Sequence, residues 1–155
     1  MTAGIEAACL VVAGLNAVSG VLGSWIWYRE ESADGRRVRA FWLALRVGQA
    51  SAVLLAVAVG VLVASGKHPQ ENLFYLYALL PLAVAFVAEQ LRVASAQTIL
   101  DQRGLADAAA VGRLPESEQQ DLLATIVRRE IGVMALSAAV VVVLALRAAS
   151  TAHGL

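Results

Sequence analysis

The chain has 155 residues, of which 59% are hydrophobic and only 15% charged, with a mean hydropathy of +0.70. These values exclude an ordinary soluble domain and describe a protein whose solvent is a lipid bilayer. The formal net charge is zero, so no global field recruits nucleic acid, and no nucleic-acid partner is expected.

Four apolar runs are long enough to cross at about 1.5 Å of rise per residue. They lie at about residues 5–28, 41–64, 73–94 and 122–147, joined by connections at 29–40 and 101–121 and by a short loop around 65–72. Little else is left, so the expectation is one membrane domain over residues 1–155: an all-α, integral membrane four-helix bundle. Residues 1–6 hold no lysine or arginine and the first run is too long for a signal peptide, so it is predicted as a retained span. Cys9, the sole cysteine, is expected to be a small hydrophobe within it.

Eleven of the twelve basic residues are arginine, a bias that fits a high-GC bacterial genome. Arg29, Arg36, Arg37 and Arg39 fall in the first connection, and Arg103 and Arg113 in the third. The loop between the second and third runs holds only Lys67. Basic residues concentrate on the cytoplasmic side, so both termini are expected on the extracytoplasmic side of a bacterial cytoplasmic (inner) membrane. Eight of the nine aromatics stand near span ends and read as interfacial belts: Trp25, Trp27, Tyr28, Phe41 and Trp42 at one border, Phe74, Tyr75 and Tyr77 at the other. Phe86 alone is central.

Small residues mark packing faces. Gly48, Ala52, Ala56, Gly60 and Ala64 recur every four positions in the second run; Gly20, Gly23 and Ser24, with Asn16 one turn away, occupy the first; Gly132, Ala135 and Ala139 occupy the fourth. Such faces let helices approach closely, within one bundle or between copies, so a homo-oligomer or a membrane-protein partner is expected beside membrane lipids. Pro81 removes one backbone donor inside the third run. In the last connection Gly104 reads as a helix stop, 105–111 as a short interfacial helix, and Leu114-Pro115-Glu116 as the start of the fourth helix.

The remaining polar residues within the runs make the candidate site: Arg46 and Gln49 in the second, Glu89 and Arg92 in the third, Arg128, Arg129 and Glu130 in the fourth. All fall toward the predicted cytoplasmic end. Charge at membrane depth persists only where it snorkels, is paired or has a function. Glu89 and Arg92 are spaced i,i+3, and Glu89 is expected to bridge Arg92 or Arg46. Glu130 is expected to meet an arginine of a neighbouring helix, whereas adjacent Arg128 and Arg129 cannot both point inward, so at least one of them is expected at the lipid headgroups, with sequence leaving open which. Two readings stand: an interhelical salt-bridge layer with surplus arginines on lipid phosphates, or a polar cavity for an anion, a lipid headgroup or a proton.

No motif supplies catalysis. HExxH, GxSxG and a P-loop are all missing, and no arginine series resembles a voltage sensor. The only histidines, His68 and His153, stand outside the runs, so haem ligation within a bundle has no support, and His68 with Glu71 makes at most a minimal metal pair. No cofactor, no metal and no enzymatic activity are expected.

Through Arg46-Val47-Gly48-Gln49-Ala50, Tyr75-Leu76-Tyr77 and Glu89-Gln90-Leu91-Arg92 the chain resembles four-span integral membrane proteins of high-GC bacteria, a group without an assigned activity. Around Asn72 to Ala78 it also resembles four-helix haem-binding membrane folds, but Phe74 stands where a ligand histidine is required. The reading that results is a non-enzymatic scaffold or accessory subunit. The alternative is a small carrier or channel for an anion or lipid-like molecule that uses the arginine and glutamate layer.

Overall fold

A backbone surrounded by hydrocarbon must satisfy its own polar groups, and runs this apolar do so as helices. The computed structural model describes residues 2–29, 35–68, 71–105 and 108–152. It contains α1 (Thr2–Tyr28), α2 (Gly35–Ala64), α3 (Leu73–Gln102), the one-turn α4 (Ala108–Val111) and α5 (Glu116–Thr151), with no strand among the described residues. Four of these, α1, α2, α3 and α5, are long and apolar enough to cross a membrane.

Three of the four helices outrun the expected spans. At 30, 30 and 36 residues, α2, α3 and α5 reach about 45, 45 and 54 Å, against a hydrocarbon core of about 30 Å. The excess lies at one end, where α1 finishes and α2 begins, here termed the basic end. Half of the predicted connection at 29–40, from Gly35 onward, is thus helical.

Helix ends are set by local chemistry. Gly104 takes a φ of 68°, its N–H donates to the Asp101 carbonyl, and Leu105 N–H donates to Leu100, which together close α3 in a Schellman motif. Gly66, at φ 81°, closes α2 in the same way through Val63 and Leu62. Only a residue that tolerates positive φ turns the chain there without steric cost. Pro115 precedes α5, and its carbonyl accepts from Glu118 and Gln119 N–H. Glu116 and Glu118 lie on the positive end of the helix dipole.

Packing runs in a ring: α1 against α2 and α5, and α3 against α2 and α5. The core forms three stacked layers. Farthest from the basic end, Cys9 and Val12 of α1 meet Leu55, Phe74, Val141 and Ala145. The middle layer joins Phe41 and Leu45 to Ala88, Ile131, Met134 and Ala138. The third, made by the helix extensions, packs Ile99 and Leu105 on Leu122, and α4 supplies Ala110 and Val111 to its edge.

Two aromatics depart from the belt reading. Phe41 and Phe74 are fully buried, because each faces its neighbouring helices and fills a core layer. Trp25, Trp27, Tyr28 and Phe86 are exposed.

The small residues divide by partner. At Gly23 a Cβ would lie 2.6 Å from the Phe41 ring and 2.7 Å from Ala135 Cβ, so α1 passes α2 and α5 at a distance only glycine allows. Gly132 accommodates the Trp27 indole, and Gly48 accommodates Asn16. Asn16 is buried and donates from Nδ2 to the Val12 carbonyl at 2.9 Å and to the Gly48 carbonyl of α2 at 3.3 Å. Gly60, by contrast, has open space beside it, so the four-residue repeat of α2 is covered at Gly48 and Ala52 and bare farther along.

Candidate functional site

The polar residues of α2, α3 and α5 converge because their depths match. Counted from the ends opposite the basic end, Arg46 lies about 27 Å along α2, Glu89 about 24 Å along α3 and Glu130 about 32 Å along α5. On α3 and α5 these positions fall between the middle and third core layers.

Glu89 is the hub. Its Oε1 accepts from Arg46 Nη1 of α2 at 2.6 Å, and Gln49 Nε2 stands 3.4 Å from the same oxygen. Its Oε2 accepts from Arg92 Nε, one turn along α3, at 3.0 Å. The sequence expectation named Arg46 or Arg92; both are bound at once. Arg46 Nη1 also donates to Gln49 Oε1 at 2.7 Å, which braces the guanidinium from its own helix. Arg92 extends the network to α5, with Nη1 3.7 Å from Glu130 Oε2. Two guanidiniums thus face two carboxylates across three helices, and the connected set carries no net formal charge.

The network opens toward the α2 side. The Arg46 side chain is 53% exposed, against 26% for Glu89 and 18% for Glu130. One cation is therefore presented at the rim of the α2–α3 seam while its partner Glu89 and the second carboxylate, Glu130, are largely covered. Trp42, read from sequence as a belt residue, belongs here: the Arg92 guanidinium lies 5.3 Å from its ring centroid. The available signal was its place one turn before Arg46.

Arg128 and Arg129 lie elsewhere. The Arg128 guanidinium stands 5.9 Å from the Trp27 ring centroid of α1, and Arg129 lines a cavity together with Trp27 and Gly132. A helical step of 100° separates neighbours, so Glu130 turns toward α3 while Arg128 turns toward α1.

His68 Nδ1 is 3.1 Å from the Tyr75 hydroxyl. Among the described residues no three His, Cys, Asp or Glu side chains converge as a metal site requires. His153 lies outside the described residues. Every buried side-chain polar atom among the described residues has a hydrogen-bond partner. Glu89 is likewise engaged through both oxygens, so the arrangement holds helices and displays a cation.

No protein-family model matches the chain, and no curated protein or solved structure shows significant similarity to it.

Proposed function

We propose that this chain is a non-enzymatic multi-pass protein of the bacterial cytoplasmic membrane, with both termini outside, that serves as a scaffold or accessory subunit. Its partner, a membrane protein or a second copy, engages the α2–α3 seam at the charged layer. The observation that carries this reading is Arg46, held by Glu89 and Gln49 yet half exposed at the rim of an otherwise apolar helix pair. A fixed cation beside lipid is costly unless something covers or solvates it. The balance of two arginines and two glutamates counts against a carrier that attracts anions to this layer. The orientation rests on the concentration of arginine at the basic end.

A photocrosslinking side chain at Val53, exposed and two turns from Arg46 on the same helix face, tests the seam in intact cells. A protein adduct is expected there, absent from the equivalent probe at Val143 on α5 and weakened by Arg46→Ala. Equal adducts at both sites, or none at Val53, would sink the proposal. Chloride flux in liposomes that is lost in a folded Glu89→Gln variant would put the carrier in its place.

A further inference from the structure

Arg129 stands at one end of a groove, with Arg128 close by over the Trp27 ring. On the outer face of the α1–α5 seam a cavity of about 710 Å³ runs beside Gly20, Val21, Ser24 and Val142. A second, of about 480 Å³, continues toward the basic end past Gly132 and Leu136 to Arg129. Both are lined by Ser24, Trp27 and Ala139, so they adjoin. The lining is apolar except for Ser24 and, toward the basic end, the indole edges, the Tyr28 hydroxyl and Arg129. Glycine, serine and alanine along the facing helices keep the groove open.

Its length and charge match one kind of occupant. From Arg129 to Val142 the groove follows 13 residues of α5, about 20 Å, which exceeds half of a roughly 30 Å hydrocarbon core and so covers one leaflet. Cations gather at only one end: Arg129 in the wall, Arg128 over Trp27, and Arg29 with its guanidinium 4.6 Å from the Trp25 ring centroid. The nearest acidic neighbour in α5, Glu130, is turned to Arg92. No carboxylate of a described residue pairs with Arg129. Exposed Trp25, Trp27 and Tyr28 at that end are the side chains that favour headgroup depth.

We infer that the α1–α5 groove is a binding site for one anionic phospholipid, its acyl chain along Gly20, Ser24 and Ala139 and its phosphate held by Arg129 with Arg128. Guanidinium groups suit phosphate because they donate in a planar fork. The site is separate from the charged seam and does not depend on what engages it.

Native mass spectrometry of the purified protein, given phosphatidylglycerol or phosphatidylcholine at equal mole fraction in detergent, reads the site directly. Phosphatidylglycerol is expected to be retained severalfold over phosphatidylcholine, and Arg128→Ala with Arg129→Ala to lower its retention by about tenfold. Arg103→Ala, whose arginine pairs with Asp121 at 2.8 Å away from the groove, should leave retention unchanged. Equal retention of the two lipids, or an equal loss with Arg103→Ala, would overturn the inference. If the double variant does not fold, Ser24→Phe fills the groove from its exposed rim and keeps both arginines; undiminished phosphatidylglycerol binding in that variant overturns it as well.

Discussion

The Phe41 ring occupies the space that any side chain on Gly23 would need, with Cε2 only 2.6 Å from the position of a Cβ there. Ala135 closes the same space from α5 at 2.7 Å. Three helices therefore meet at one missing methyl group, and neither neighbour yields alone. Gly23→Ala is expected to cost about 1–3 kcal/mol through overpacking. Thermal unfolding in detergent checks this, and Phe41→Leu in the same chain should recover part of the loss by opening one side. A Gly23→Ala variant as stable as the parent would mean that α1 does not approach this closely.

Asn16 and Gly48 form the other tight crossing, between α1 and α2. Asn16→Leu removes the hydrogen bond to the Gly48 carbonyl and is expected to cost about 0.6 kcal/mol, with an upper bound near 1.7, as interhelical bonds in bilayers do. Gly48→Ala should cost more, because its Cβ would fall 2.9 Å from Asn16 Oδ1. The two changes are coupled: a double-mutant cycle with Asn16→Ala and Gly48→Ala should be clearly non-additive. Simple additivity would separate the two residues.

Within the charged layer the hub and the rim should differ. Glu89→Gln strips two guanidiniums of their carboxylate, at a cost of about 1–3 kcal/mol for charged hydrogen bonds left incomplete. Arg46→Ala removes a half-exposed partner and should cost about 1 kcal/mol or less. Denaturation in the same micelle ranks them, and the reverse order would place the network's centre on α2.

Orientation is tested by cysteines in a Cys9→Ala background, since Cys9 is buried and contributes only packing. A probe at Ser117, exposed at the start of α5, should react only once the cytoplasmic side is opened to the reagent. A probe at Ser65, exposed at the far end of α2, should react from outside in intact cells. The opposite pattern inverts the topology.

The four helices long and apolar enough to cross a membrane were legible because apolar runs of this length have one solution in lipid. The pairing of Glu89 was legible too, since i,i+3 spacing supplies Arg92 and matched depth supplies Arg46. Helix rotation was not. These helices are apolar on nearly every face, so no polar side marks which way Phe41 and Phe74 point, and both were read as belt residues when they fill the core. The same ambiguity left open where Arg128 and Arg129 go, although the pairing of Glu130 with an arginine of another helix was legible. The far ends of α3 and α5 were legible from Gly104 and Pro115, but the start of α2 at Gly35 was not, and neither was the packing of Ile99, Leu105 and Leu122, which are scattered among polar residues in sequence.

The neutrality of the layer has an electrical consequence. A single charge carried across a membrane potential exchanges about 2.3 kcal/mol per 100 mV, and voltage sensing depends on that work. Arg46, Arg92, Glu89 and Glu130 moving together transport no net charge, so the field does no net work on them. Voltage has no grip on this joint, and a change in its geometry has to arrive by contact, from a helix or a molecule that exchanges partners with Glu89.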